Sequence, residues 1–116
     1  MDIELNRDGT ALICVLYREY CQRRKQGMTI EEAAYFGDGA EIHSSFMPKW
    51  QVDDISHLCW YLHKKGLLLA SPGDDCVNAV SISDDGICYM EQRYPEGLKQ
   101  IIETIATLAP LVIPWI

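Results

Sequence analysis

Residues able to bind metal or nucleic acid gather in one stretch of this sequence. His57, Cys59 and His63 are of the types that ligate zinc. Measured from His57, however, the spacings are two and six, which do not bring three ligands to one face of a helix as an i, i+4 pair would. Neither a CxxC pair nor an HxxxH pair accompanies them. No metal is expected, and each histidine reads as a satisfied or exposed side chain.

The aromatic residues Trp50, Trp60 and Tyr61 have faces on which bases could stack. In a small helical domain such residues more often fill a core or a subunit contact. Packing is the expectation for Trp60, while Trp50, beside Pro48, is the one expected at a binding surface. Cys14, Cys21, Cys59, Cys76 and Cys88 are odd in number and mostly set among apolar residues, so they read as reduced, packed thiols. This includes Cys76 and Cys88, which flank one strand candidate. The sequence carries no glycine-rich phosphate loop, nucleophile elbow or carboxylate pair in an enzyme-like setting. The expectation is a protein that is not an enzyme and needs no cofactor.

Composition sets the frame for these residues. At 116 residues the chain is long enough for one domain with a core of its own. Ten Lys and Arg against seventeen Asp and Glu give a net charge of −7, which repels polyanions at long range. That argues against strong non-specific binding of nucleic acid, though a local basic face could still bind a specific site. Met1-Asp2-Ile3-Glu4-Leu5 lacks the basic start and apolar run of a secretory signal, and with the reduced cysteines this leads to an expected cytoplasmic location.

Hydrophobic spacing then outlines the elements. Leu12, Leu16, Tyr17 and Tyr20 predict a first helix from about Asn6 to Lys25. Asn6, Asp8 and Thr10 each offer a capping oxygen, Gly27 marks its end, and Arg23, Arg24 and Lys25 oppose the negative end of its dipole. Thr29-Ile30-Glu31-Glu32 is a capping box that starts a second helix reaching Phe36. Asp38 could cap a further turn through Phe46. Val52, Ile55, Leu58, Cys59 and Leu62 make one apolar stripe, which predicts a third helix from about Lys49 to Lys65.

Leu67-Leu68-Leu69-Ala70 and Val77 to Ile82 are β-prone runs on either side of Ser71-Pro72-Gly73-Asp74-Asp75, a hairpin pattern. Ser83 can cap another helix containing Ile87, Met90 and Tyr94. After Pro95 and Gly97, a stripe of Leu98, Ile101, Ile102, Ile105 and Leu108 predicts a last helix. This stripe is the expected homodimer interface, with packing back on the first helix as the alternative. From Thr104 to Ile116 no residue is charged, but these thirteen residues, interrupted by Pro110 and Pro114, fall short of the twenty or so that span a bilayer.

The order of three helices, a hairpin and a helix resembles a winged helix-turn-helix domain. The segment Ile55 through Leu62 to Lys64-Lys65-Gly66-Leu67-Leu68 is similar to that family's third helix entering its first wing strand. Val80-Ser81-Ile82-Ser83-Asp84-Asp85-Gly86-Ile87-Cys88-Tyr89-Met90 is similar to the second wing strand running into a helix. The resemblance covers about residues 6–94. It implies a mainly α fold with a small β-hairpin wing, to which residues 95–116 add an apolar C-terminal helix and tail.

By that resemblance the third helix would face DNA, with Lys49, Gln51, His57, Lys64 and Lys65 as the contacting residues. Asp53 and Asp54 near its start would repel phosphates, and the same pattern fits a solvated helix face whose charges complement the dipole. The stretch from Phe36 to Trp50 is longer than the family's usual turn. The wing has no Lys or Arg from Leu67 to Ile82 and carries Asp74 and Asp75 at its tip, where DNA-binding members commonly place a basic side chain. The family's usual employment makes a small DNA-binding transcriptional regulator the expected function. A protein-interaction module on an acidic winged-helix scaffold is the alternative.

Overall fold

A computed structural model of the chain describes residues 3–108. Pro110 and the apolar tail from Leu111 to Ile116 lie outside the described residues.

Helix α1 spans Arg7–Lys25. Of the three candidate caps, Asn6 serves, its Oδ1 accepting from the Gly9 N–H at 2.7 Å. Residues 11–17 are all buried, so α1 is enclosed on every side there and forms the centre of the fold. The chain leaves the helix at Gly27, whose φ of 93° suits the left-handed turn that ends it.

Thr29 caps α2 (Ile30–Ala34) with both bonds of the capping box in place: the Glu32 N–H donates to Thr29 Oγ1 at 3.2 Å, and the Thr29 N–H to Glu32 Oε1 at 3.3 Å. The expected continuation to Phe36 does not occur. Strand β1 (Tyr35–Gly37) begins instead, because Arg23 of α1 takes the Ala33 and Tyr35 carbonyls and β3 pairs with the segment. Asp38 then caps α3 (Gly39–Phe46), accepting from the Glu41 N–H at 2.8 Å. The long stretch before the third predicted helix is therefore a strand followed by a helix of its own.

Helix α4 covers Val52–Lys64, three residues shorter at its start than the periodicity predicts, since Met47 to Trp50 form a turn closed by a 3.1 Å backbone bond. Strands β2 (Leu68–Pro72) and β3 (Val77–Ile82) make the expected hairpin. With β1 they form one antiparallel sheet of order β1-β3-β2, one strand more than the hairpin predicted. Ser83 caps α5 (Asp84–Arg93), and α6 (Leu98–Leu108) closes the described chain. The whole is mainly helical with a small three-stranded sheet.

The core lies between α1, α4 and the inner face of the sheet, and α6 covers another flank of α1. Trp50 is 5% exposed and belongs to this core, which corrects its expected place at a surface. The turn that closes on Met47 folds the indole inward. Trp60 is only partly buried and meets the His63 ring edge-to-face at 5.4 Å.

Candidate functional site

The residues singled out for DNA are scattered along α4. Lys49 is exposed but precedes the helix, Gln51 is its N-cap, His57 is exposed at mid-length and Lys64 is its last residue. Lys65 lies beyond, its ammonium 5.5 Å from the centre of the Tyr61 ring. A helix of this length runs about 20 Å, so Lys49 and Lys64 mark opposite ends. Exposed Asp53 and Asp54 occupy the first turn between them.

The histidine and cysteine set is likewise dispersed. His57 is exposed, Cys59 is fully buried, and His63 Nδ1 lies 2.9 Å from the Leu68 carbonyl. Among the described residues no group of three His, Cys, Asp or Glu could hold a metal ion. Burial pushes the Cys14 thiol up to about 11 and the Cys59 thiol up to about 12, so neither supplies a thiolate nucleophile at neutral pH. Cys76 and Cys88 are free and half-buried.

Helix α6 splits its apolar stripe between two environments. Ile101 and Ile105 are buried in the core beside α1, Leu98 and Leu108 are half-buried, and Ile102 faces outward. No described helix is long and apolar enough to cross a membrane.

A site that the residue patterns did not indicate lies on the sheet's outer face. Register places Ser81 of β3 directly beside Tyr35 of β1 on one side and Leu69 of β2 on the other. Directly paired residues share a face, so the three stand in one row. With strands about 4.8 Å apart, the backbones of Tyr35 and Leu69 are about 10 Å apart. The small Ser81 between two large side chains leaves a notch.

Two helix starts complete it. Ile30 comes from the first turn of α2, and Ile87 from α5. The start of α5 is fixed by Ser83, whose hydroxyl donates to the Gly66 carbonyl at 2.6 Å and accepts from the Gly86 N–H at 2.9 Å. Gly86 is needed there because a side chain would collide with the Leu67 carbonyl. These contacts hold Asp84 and Ile87 against the end of the sheet.

The resulting hollow has a volume of about 650 Å³. Ile30, Tyr35 and Leu69 on its walls are 50%, 50% and 56% exposed, and outside it only Ile102 is a comparably exposed large apolar residue among those described. Glu31, Glu32 and Asp84 stand at its rim. A second hollow of about 480 Å³ shares Ile30, Asp84 and Ile87 and extends over Tyr17, Tyr20 and Glu91. The arrangement offers apolar contact and carboxylate acceptors. Leu69 had a faint signal in the sequence: in the run Leu67-Leu68-Leu69, strand alternation must send one leucine outward.

The chain matches no protein-family model, no curated protein and no solved structure.

Proposed function

We propose that this protein is a non-catalytic docking module for another protein chain, built on a winged-helix scaffold. The observation that carries this reading is the convergence of Ile30, Tyr35 and Leu69, all half-exposed, on one acidic-rimmed groove. Large apolar side chains left in water together are the mark of a surface that a partner covers. The scaffold assignment draws on the element order, with α3 and α4 as the helix-turn-helix pair, residues 47–51 as its turn, and β2 and β3 as the wing. In this assignment the segment from Thr29 to Phe36 precedes the pair.

The test is selection from a random peptide library on the intact chain and on a Tyr35→Ser, Leu69→Ser variant whose circular dichroism matches the wild type. Enrichment on the wild type that is lost on the variant is the expected result. Equal enrichment on both, or none on either, overturns the docking role.

DNA binding is retained as a second reading because Lys64 and Lys65 are exposed together at the end of α4, next to the hairpin. It requires that a random duplex pool yield an enriched sequence, and that Lys64→Glu with Lys65→Glu weaken its binding and flatten the salt dependence. The acidic first turn of α4 and the wing tip at Asp74 and Asp75 place this reading behind the first.

A further inference from the structure

Resting on the docking reading, we infer that the groove takes a cationic amphipathic helix from a partner protein, with aliphatic side chains on one face flanked by Lys or Arg. Charge complementarity chooses the partner. The walls of the larger hollow include Glu31, Glu32 and Asp84 and no Lys or Arg, and the adjoining hollow adds Glu91 against a single cation, Arg24. Among the described residues the one ion pair is Arg23 with Glu19, at 3.0 Å, so none of these four carboxylates is in an ion pair, although Glu32 Oε1 accepts from Thr29 in the capping box.

Helix dipoles account for Glu31 and Glu32 in the first turn of α2 and for Asp84 in that of α5. They do not account for exposed Ile30 in the same turn as Glu31 and Glu32. An acidic or neutral apolar segment would leave the carboxylates desolvated without a counter-charge, which is costly. A cationic one supplies charge-assisted hydrogen bonds as it covers the isoleucines.

Shape selects a helix. The notch over Ser81 is bounded by strands about 10 Å apart and admits single side chains. The two hollows meet at Ile30 and Ile87, giving successive seats of the kind that residues at i, i+3, i+4 and i+7 fill. An added strand is disfavoured along β2, where His63 already occupies the Leu68 carbonyl.

Three synthetic peptides about four turns long test this, all with leucine at the same i, i+3, i+4 and i+7 positions and with lysine, glutamine or glutamate elsewhere. Fluorescence anisotropy with the full chain should show the lysine peptide binding at least about tenfold tighter than the glutamine peptide, and the glutamate peptide weakest, with the lysine advantage shrinking as salt rises about tenfold. Glu31→Gln with Asp84→Asn should reduce the lysine advantage severalfold, Glu32 and Glu91 remaining, and leave glutamine-peptide binding no weaker. Tyr35→Ser with Leu69→Ser should weaken both. Equal binding of lysine and glutamine peptides, or a lysine advantage undiminished by Glu31→Gln with Asp84→Asn, overturns the cationic partner. If binding is nonetheless lost with Tyr35→Ser and Leu69→Ser, the docking groove itself stands. Peptide binding that ignores both variants, or no binding at all, overturns the inference and the docking role together.

Discussion

The Arg23 guanidinium donates to the Tyr35 carbonyl at 2.8 Å and joins the end of α1 to the first strand of the sheet. The same group reaches the Ala33 carbonyl at 3.3 Å, pairs with Glu19 and lies 4.7 Å from the centre of the Phe36 ring. It thus ends α2 and sets where Tyr35 enters the groove. A planar, forked donor is needed for these contacts together. Arg23→Ala should cost about 1.5–3 kcal/mol of stability, and Arg23→Lys should recover less than half of it. Denaturant midpoints measure both, and full rescue by lysine would contradict the assignment.

Helix α6 yields a contrast between neighbours. Ile101 is fully buried beside α1, so Ile101→Ala should cost about 2–5 kcal/mol. Ile102, 47% exposed, should change stability by no more than about 0.5 kcal/mol on the same replacement. Pairing of two chains through α6 has to use Ile102 with the half-buried Leu98 and Leu108. If such a pair forms, light scattering of the wild type should give the mass of two chains and Ile102→Asp should return it to one; a single-chain mass for the wild type excludes the pair.

Ala79 has a φ of 50°, a left-handed conformation that a side chain disfavours. It sits where β3 slips register against β2, between the Leu69–Ser81 and Ser71–Asn78 pairs, with the Asn78 Oδ1 accepting from its N–H at 2.8 Å. Ala79→Gly should raise stability by about 0.5–1 kcal/mol, the relief of strain exceeding the added freedom of the unfolded chain. A lower thermal midpoint would show that the strain is absent.

Stability should fall at alkaline pH. Burial raises Cys14 to about 11 and Cys59 to about 12, so the folded chain holds these protons more tightly than the unfolded chain. The stability they lend is fully present below the ordinary thiol value. It declines as pH rises from about 9 through the folded values, because there the unfolded state has lost protons that the native state keeps. Buried Tyr17 and Tyr94 are shifted in the same direction. Denaturation at successive pH values should show the decline, and Cys59→Ala should make it shallower.

The helices were legible because their signals are local. Thr29 with Glu32, Asp38 with Glu41 and Ser83 with Gly86 each lie three apart and cap where the sequence places them. Strand β1 was hidden because its cause is remote: Arg23 and Ser81 determine that Tyr35 is extended, and neither is near it in sequence. Trp50 misled for a similar reason, since a residue beside a proline gives no sign of which way its turn folds. The groove was invisible because it depends on register, which sets Tyr35, Ser81 and Leu69 side by side from three separate segments. The cysteine and histidine patterns dispersed because α4 turns His57 and Cys59 to different faces.

The bond between His63 and the Leu68 carbonyl also bears on how the molecule behaves in a crowd. An open strand margin is a template on which a second chain can lay a strand of its own, and β2 is such a margin. The His63 imidazole stands where an incoming amide would meet the Leu68 carbonyl, at the start of β2. The side chain whose type suggests a metal ligand thus covers one acceptor on that margin, and His63→Ala should lower the concentration at which the protein begins to aggregate, as light scattering would show, more than it lowers the melting temperature.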